Sequence, residues 1–132
     1  METKVTFKNI ETAKAPKMIA MLGALVAIVA AFLPWGITSL ATVKGTDGDG
    51  TITAVLGGLA IVFLWIQKIP VWISALLGLA VASVGVIDFV NMRDAVALDP
   101  GNGSVGIGLY LTIAGGVVLL IGAVMQLIQS RK

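Results

Sequence analysis

Carboxylates are the main reactive groups of this chain, because its sequence contains neither Cys nor His. Thiolates and imidazoles, the usual nucleophiles, bases and metal ligands, are therefore missing. Asp88 is the one ionisable residue inside an otherwise apolar run, Val71–Val90. An ionisable residue inside a membrane helix is a candidate ion or proton site. Asp88 lies about 26 Å along a helix from Val71, close to the edge of a hydrocarbon core of roughly 30 Å. This depth favours a hydrated carboxylate near the membrane surface, able to pair with Arg93, over an ion or proton site.

The other acidic stretch, Gly45–Thr53, is similar to part of a calcium-binding loop. Asp47 and Asp49 fit its third and fifth positions, but the carboxylates of the first and twelfth positions are missing. The sequence instead predicts a glycine turn in which Asp49 or Thr51 caps the following helix. No serine has a base beside it and no phosphate-binding motif occurs. We therefore predict no catalytic residue, no metal, no cofactor and no enzyme activity.

Four apolar runs separate these polar stretches, and each approaches the roughly 20 residues that cross a bilayer. The chain has 132 residues, of which 58% are hydrophobic and 12% charged, whereas about a quarter of a soluble domain is charged. These values predict an all-α fold, an integral membrane four-helix bundle made of two tandem hairpins. The predicted spans are Met18–Ile37, Thr51–Gln67, Val71–Val90 and Ile107–Ile128. The predicted divisions are a basic tail (1–17), a first hairpin (18–67), a turn (68–70), a second hairpin (71–128) and a tail (129–132).

The charges predict the orientation of these spans. Seven of the nine Lys and Arg residues lie in the two tails and the turn, whereas Lys44 and Arg93 share the two longer loops with the aspartates. Short loops rich in Lys and Arg stay in the cytoplasm. We therefore predict a multi-pass protein of the cell membrane with both termini cytoplasmic. The inner lysines should attract anionic lipid headgroups, and charges divided between two sides argue against nucleic-acid binding.

Aromatic residues lie at the ends of the predicted spans. Trp35 and Tyr110 fall at the outer ends, and Trp65 and Trp72 fall at the inner ends. Since amphipathic rings favour the headgroup level, this placement predicts an interfacial belt. Packing residues that happen to lie near helix ends are the simpler alternative. The N-terminal tail could form a short amphipathic helix on the membrane, which Pro16 would end.

The chain also contains an apparent internal duplication. The glycines at 48, 50, 57 and 58 recur 58 positions later, at 106, 108, 115 and 116. Residues 22–29 align with residues 77–84 at an offset of 55. Chance similarity in a glycine-rich chain is the alternative. Two copies that both begin and end inside form a parallel repeat, which weakly disfavours an alternating-access carrier.

Small residues spaced four apart predict where the helices pack, because they lie on one helix face and let another backbone approach. Close packing within one chain is the default interpretation, and contact with a second copy is the other. The predicted helix-packing residues are Gly23, Ala27, Ala31, Gly50, Ala54, Gly58, Gly78, Ala82, Gly108, Thr112 and Gly116.

Three short motifs carry a family resemblance. They are Leu33-Pro34-Trp35, Asp47-Gly48-Asp49-Gly50, and Gly106–Tyr110 followed by Gly115-Gly116. With these motifs, residues 18–128 resemble the small, uncharacterised four-span membrane proteins of bacteria, notably actinobacteria, and of some phages. The resemblance implies the fold and supplies no substrate and no active residue.

The function predicted from these features is structural. We expect a small accessory membrane protein that packs into a homo-oligomer or against a membrane-protein partner in a larger complex. The alternative is a small oligomeric channel or holin-like pore. Because small-residue faces would pack one bundle solid, such a pore would have to form between protomers.

Overall fold

A computed structural model of the chain describes residues 2–38, 42–66, 68–98 and 103–130, and only the backbone of residues 2–14 and 130. The predictions for the side chains of Lys4, Lys8, Lys14, Arg131 and Lys132, and for Asp99, lie outside the described residues.

Four helices make up most of the described chain, which agrees with the predicted all-α class. Three short strands and a 3₁₀ turn at Gly45–Asp47 complete it. The helices are α1 (Glu2–Ala30), α2 (Gly50–Trp65), α3 (Val71–Ala97) and α4 (Ile107–Ser130). The strands are β1 (Pro34–Ile37), β2 (Thr42–Lys44) and β3 (Ser104–Val105).

Two of the helices are long and apolar enough to cross a membrane, and they are Val71–Ala97 and Ile107–Gln129. The apolar parts of the other two, Ala15–Ala30 and Gly50–Trp65, are shorter. The 16 residues of α2 extend about 24 Å at 1.5 Å per residue, which is less than a hydrocarbon core of about 30 Å. Helix length and apolar composition together therefore support two candidate spans.

The first helix differs from its prediction at both ends. It runs through Pro16 without ending there, so the prediction of a separate tail helix was wrong. Pro16 is fully buried, and its carbonyl oxygen lies beside Gly122 of α4, so packing compensates for the missing backbone donor. α1 then ends at Ala30 instead of reaching Ile37. Pro34 disfavours helical geometry at the residue before it, and the chain turns into β1.

The strands join the two regions that were predicted as separate loops. They form one antiparallel sheet in the order β2-β1-β3. In β1, Gly36 pairs with Val43 on one side and with Val105 on the other. α3 also continues beyond the predicted end at Val90 to Ala97, which shortens the second loop. We call the end of the molecule that carries this sheet the sheet end, and the opposite end, with the 66–70 connection, the turn end.

The helices pack so that α4 lies between α1 and α3 and makes its most extensive contacts with them. α2 packs against α1 and, less extensively, against α3, as expected from the very short connection between α2 and α3. The core cluster consists of Ala20, Ala24, Ala60, Leu64 and Leu119. Most of these side chains are small, so the helix axes come close together.

Large apolar side chains lie mainly on the outside of this arrangement. Each helix exposes a series of them, at least about 40% accessible, whereas its buried positions are mostly Ala, Gly, Ser or Thr. Examples are Leu22, Leu25 and Val29 on α1, Val55, Leu59 and Val62 on α2, Leu76, Leu79 and Val86 on α3, and Ile107, Val117 and Ile121 on α4. The distribution of residue size is thus the reverse of that in a water-soluble core.

Candidate functional site

Two carboxyl groups meet between α2 and α3, near the sheet end. Asp88 lies on α3 and is partly buried, and its Oδ2 atom is inaccessible and has no hydrogen-bond donor among the described residues. Asp49 immediately precedes α2, and its side chain lies within hydrogen-bonding reach of the Asp88 carboxyl. The sequence singled out Asp88 but gave no sign of this partner, because helix packing alone brings the two residues together.

Asp49 and Asp88 are two carboxylic acids whose side chains lie close together. Ionised carboxylates can only accept hydrogen bonds, so a bond between Asp49 and Asp88 requires a proton. Like charges at close range also oppose each other. Within the described residues, no group of three or more Asp, Glu, Cys or His side chains could hold a metal ion. The structure therefore places two like-charged side chains close together near the sheet end.

Arg93 does not pair with Asp88, contrary to the suggested interaction. It is exposed, and in the described part of the chain no ion pair joins it to Asp88. Five residues along a helix correspond to a rotation of about 140° from the starting position. The guanidinium therefore leaves the helix in a different direction from the carboxyl.

The loop before α2 only partly fulfils its prediction. Asp49 occupies the N-cap position, but its side chain makes no capping hydrogen bond, so the predicted capping role was wrong. The Thr51 hydroxyl donates to the Thr46 carbonyl oxygen at 3.3 Å instead of capping the helix. Asp47 has the predicted turn role, since its Oδ2 atom accepts a hydrogen bond from the Lys44 backbone N–H at 3.0 Å.

Trp35 is a packing residue rather than part of an interfacial belt. Only 3% of it is exposed, and its Nε1–H donates to the Ala30 carbonyl oxygen at 3.0 Å. Its ring packs against Gly45 and Gly108. The belt prediction was therefore wrong for Trp35. The other three aromatic residues of the proposed belt, Tyr110, Trp65 and Trp72, are each more than half exposed, and for them it stays a prediction.

Most predicted packing residues lie at close contacts. Two adjacent glycines of α4 contact different neighbouring helices. Gly115 lies against Gly23 and Ala27 of α1, and Gly116 lies against Ala82 of α3. Elsewhere, Gly78 approaches the α4 backbone, Gly108 packs on Trp35, Gly50 contacts Gly45, and Ala31 is buried. The buried hydroxyl of Thr112 donates to the Gly108 carbonyl oxygen at 2.8 Å within its own helix.

The predicted face of α2 makes no contact within the chain at Gly58, so only the default interpretation, packing inside one chain, fails there. A Cβ atom added to Gly58 would meet no heavy atom within 4 Å, and Ala54 is only partly buried. Gly57 makes the close approach instead, since a Cβ atom added there would lie 3.0 Å from the Ala24 carbonyl oxygen. The buried positions of α2 are Gly50, Thr53, Gly57, Ala60 and Leu64.

The two predicted copies of the hairpin therefore have different environments. Gly116 is enclosed by α3, whereas its counterpart Gly58 faces open space. The reason is that α4 lies between two helices and α2 lies at one side. The prediction also omitted Gly85, Gly115 and Gly122, each of which approaches a neighbouring helix closely. The sequence could have indicated Gly85 and Gly115, because each lies three residues from another small residue in its helix.

A scan against protein-family models found no match, and searches of curated proteins and of solved structures found none either. The resemblance to small four-span proteins stays a prediction.

Proposed function

We propose that this protein is a small structural or accessory membrane protein whose four helices all cross the bilayer, with both termini in the cytoplasm. The reversed distribution of residue size carries the proposal. Large apolar side chains cover the outside of all four helices, α2 included, while small residues fill the contacts between them. Lipid tails solvate apolar side chains, and close helix packing through small residues supplies the stability that water exclusion provides elsewhere.

The short apolar parts of α1 and α2 fit this proposal if the adjoining chain contributes to the membrane depth. After α1, the apolar residues Phe32, Leu33 and Trp35 continue toward the sheet, and the exposed Ile66 follows α2. A short span is also accommodated by local thinning of the bilayer at modest cost.

Cysteine labelling tests the four-span topology, and because the chain has no native Cys, each single variant carries one labelling site. Single variants Thr46→Cys at the sheet end and Lys68→Cys at the turn end are labelled in intact cells with a membrane-impermeant maleimide. We expect labelling of Thr46→Cys in intact cells and of Lys68→Cys only after lysis. Labelling of both positions in intact cells would contradict the topology.

We further propose self-association, or association with a membrane partner, through the face of α2 that carries Gly58. Gly58 has open space around it, and it is flanked four residues earlier by the partly buried Ala54. A small residue at an unoccupied helix face allows a second helix to approach closely.

Cross-linking of Gly58→Cys in native membranes tests this contact. Val117→Cys on the exposed face of α4 is the matched control. We expect oxidative cross-links at position 58 and few at position 117. Equal yields at both positions would contradict the contact. Strong ion flux from pure protein in liposomes would support the pore alternative and overturn the structural role.

A further inference from the structure

The turn end contains a cavity between the four helices that no part of the structural role uses. It has a volume of about 260 Å³, and we call it the headgroup cavity. Three of its lining residues are polar, namely Lys17 of α1, Ser74 of α3 and Gln126 of α4, and the remainder are apolar. A cation and hydrogen-bonding groups thus surround a space at the end of the molecule predicted to face the cytoplasm.

Two observations indicate what this cavity could bind. The Lys17 ammonium lies 4.5 Å from the centre of the Trp65 ring, an arrangement that holds the charge in place while N–H donors stay available. The Gln126 Oε1 atom is inaccessible and has no hydrogen-bond donor from the residues that the structure describes. A buried acceptor without a donor is costly, so a ligand that supplies an O–H or N–H group would be favoured here.

A separate apolar groove lies along α1 and α2. It has a volume of about 550 Å³, and we call it the chain groove. Lys17 directly precedes Met18 and lies four residues before Met21, and both methionines line the groove. One part of the groove is therefore near the cation on α1. Its lining residues are Met18, Ile19, Met21, Leu22, Leu25 and Ile61.

We propose that these two spaces together bind one anionic phospholipid, with its phosphate at Lys17, a headgroup hydroxyl at Gln126 and an acyl chain in the chain groove. Free phosphate would satisfy the cation but would leave the groove unused. A phosphatidylglycerol-type headgroup supplies both the negative charge and the hydroxyl donor. This inference rests on the proposed membrane location, since the cavity must lie at the depth of the headgroups.

Quenching of Trp65 fluorescence by lipids with brominated acyl chains tests the proposal on the full chain. A Trp72→Phe background removes the second indole at the turn end, and the signal of Trp35 is measured in a Trp65→Phe, Trp72→Phe variant and subtracted. Each signal is normalised to the lipid-free protein. We expect phosphatidylglycerol to quench at about fivefold lower mole fraction than phosphatidylcholine, the effect of about one favourable charge contact. Equal quenching by both lipids would overturn the proposal.

Matched variants separate this site from general attraction to the membrane surface. Lys17→Gln should abolish the fivefold preference, whereas Lys68→Gln, which removes an equal charge from an exposed turn residue, should keep it. We expect the unmodified protein to prefer phosphatidylglycerol over phosphatidylmethanol, a phosphodiester of equal charge that lacks the hydroxyl. Gln126→Leu should remove that preference. Equal effects of Lys17→Gln and Lys68→Gln, in variants with the same thermal unfolding midpoint, would refute the site.

Two further measurements distinguish the ligand source and the membrane proposal. Competition by water-soluble glycerol phosphate at concentrations comparable to the lipid would indicate a free phosphate site and overturn the lipid assignment. Flotation with phosphatidylcholine vesicles tests membrane location independently of the cavity. Protein that floats but shows no preference retains the proposed membrane role and loses only this lipid site.

Discussion

The glycine pair at positions 116 and 58 offers a direct test of the packing, because the two residues are equivalent in the predicted duplication and opposite in environment. A Cβ atom at Gly116 would lie 2.5 Å from the Ala82 nitrogen and 2.9 Å from its Cα atom. These are backbone atoms, so no side-chain rotation relieves the overlap. Restoring an ordinary contact of 3.4 Å requires α3 and α4 to move apart by about 0.9 Å, the difference between 3.4 and 2.5 Å.

We expect Gly116→Ala to destabilise the fold by about 1–3 kcal/mol, the usual cost of overpacking a close contact. The gain in helix propensity, at most about 1 kcal/mol, offsets part of this cost. Gly58→Ala experiences the same gain without any overlap, so it should be neutral or stabilise by up to about 1 kcal/mol.

The assay is reversible unfolding in mixed micelles of a mild detergent and dodecyl sulfate, followed by the fluorescence of the buried Trp35. Gly57→Ala, with contacts at 3.0 Å, should fall between the two other variants. The measurement is made at protein concentrations where the chain is monomeric, so that a contact between copies at Gly58 does not contribute. Equal midpoints for Gly116→Ala and Gly58→Ala would refute the reasoning.

Two further substitutions test the sheet end. Asp88→Asn removes one charge and provides an amide donor to Asp49, so we expect unchanged or higher stability, by about 1 kcal/mol at neutral pH. A double-mutant cycle with Asp49→Asn should give a coupling energy of at least about 0.5 kcal/mol, and additive effects would contradict the pairing. Trp35→Phe removes the indole donor to the Ala30 carbonyl oxygen, which still accepts from the Leu33 backbone N–H at 3.2 Å. We therefore expect a cost of about 0.5–1.5 kcal/mol, measured by unfolding followed with circular dichroism. The exposed Trp65→Phe serves as its control, and a loss of equal size there would contradict this explanation.

The sequence predicts that small residues form the helix contacts, but it does not predict which face of α2 makes them. Small residues at a spacing of four occur in α2 in two frames, through Thr53 and Gly57 and through Ala54 and Gly58. Adjacent positions differ by about 100° around a helix, and nothing within α2 distinguishes the two frames. The position of α1 determines which frame is buried, because the α1 backbone at Ala24 lies beside Gly57.

The sheet and the carboxyl pair were unpredictable for a related reason. β1 and β3 contain only a few residues each, and they are separated by two helices in the chain. Short strands carry little periodicity, and pairing between distant segments depends on how the helices bring them together. Asp49 and Asp88 similarly meet only because the start of α2 lies beside α3.

The sequence by itself determined the number and approximate position of the helices, the absence of thiol and imidazole chemistry, and the sorting of lysines from aspartates. These properties depend on composition and local order, which tertiary contacts do not alter. Tertiary structure alone decided that Trp35 is buried, that Gly57 rather than Gly58 contacts α1, and that Asp88 faces a second carboxyl. Each of these outcomes depends on which helix lies next to which, and a helix with small residues on several faces does not specify its neighbours.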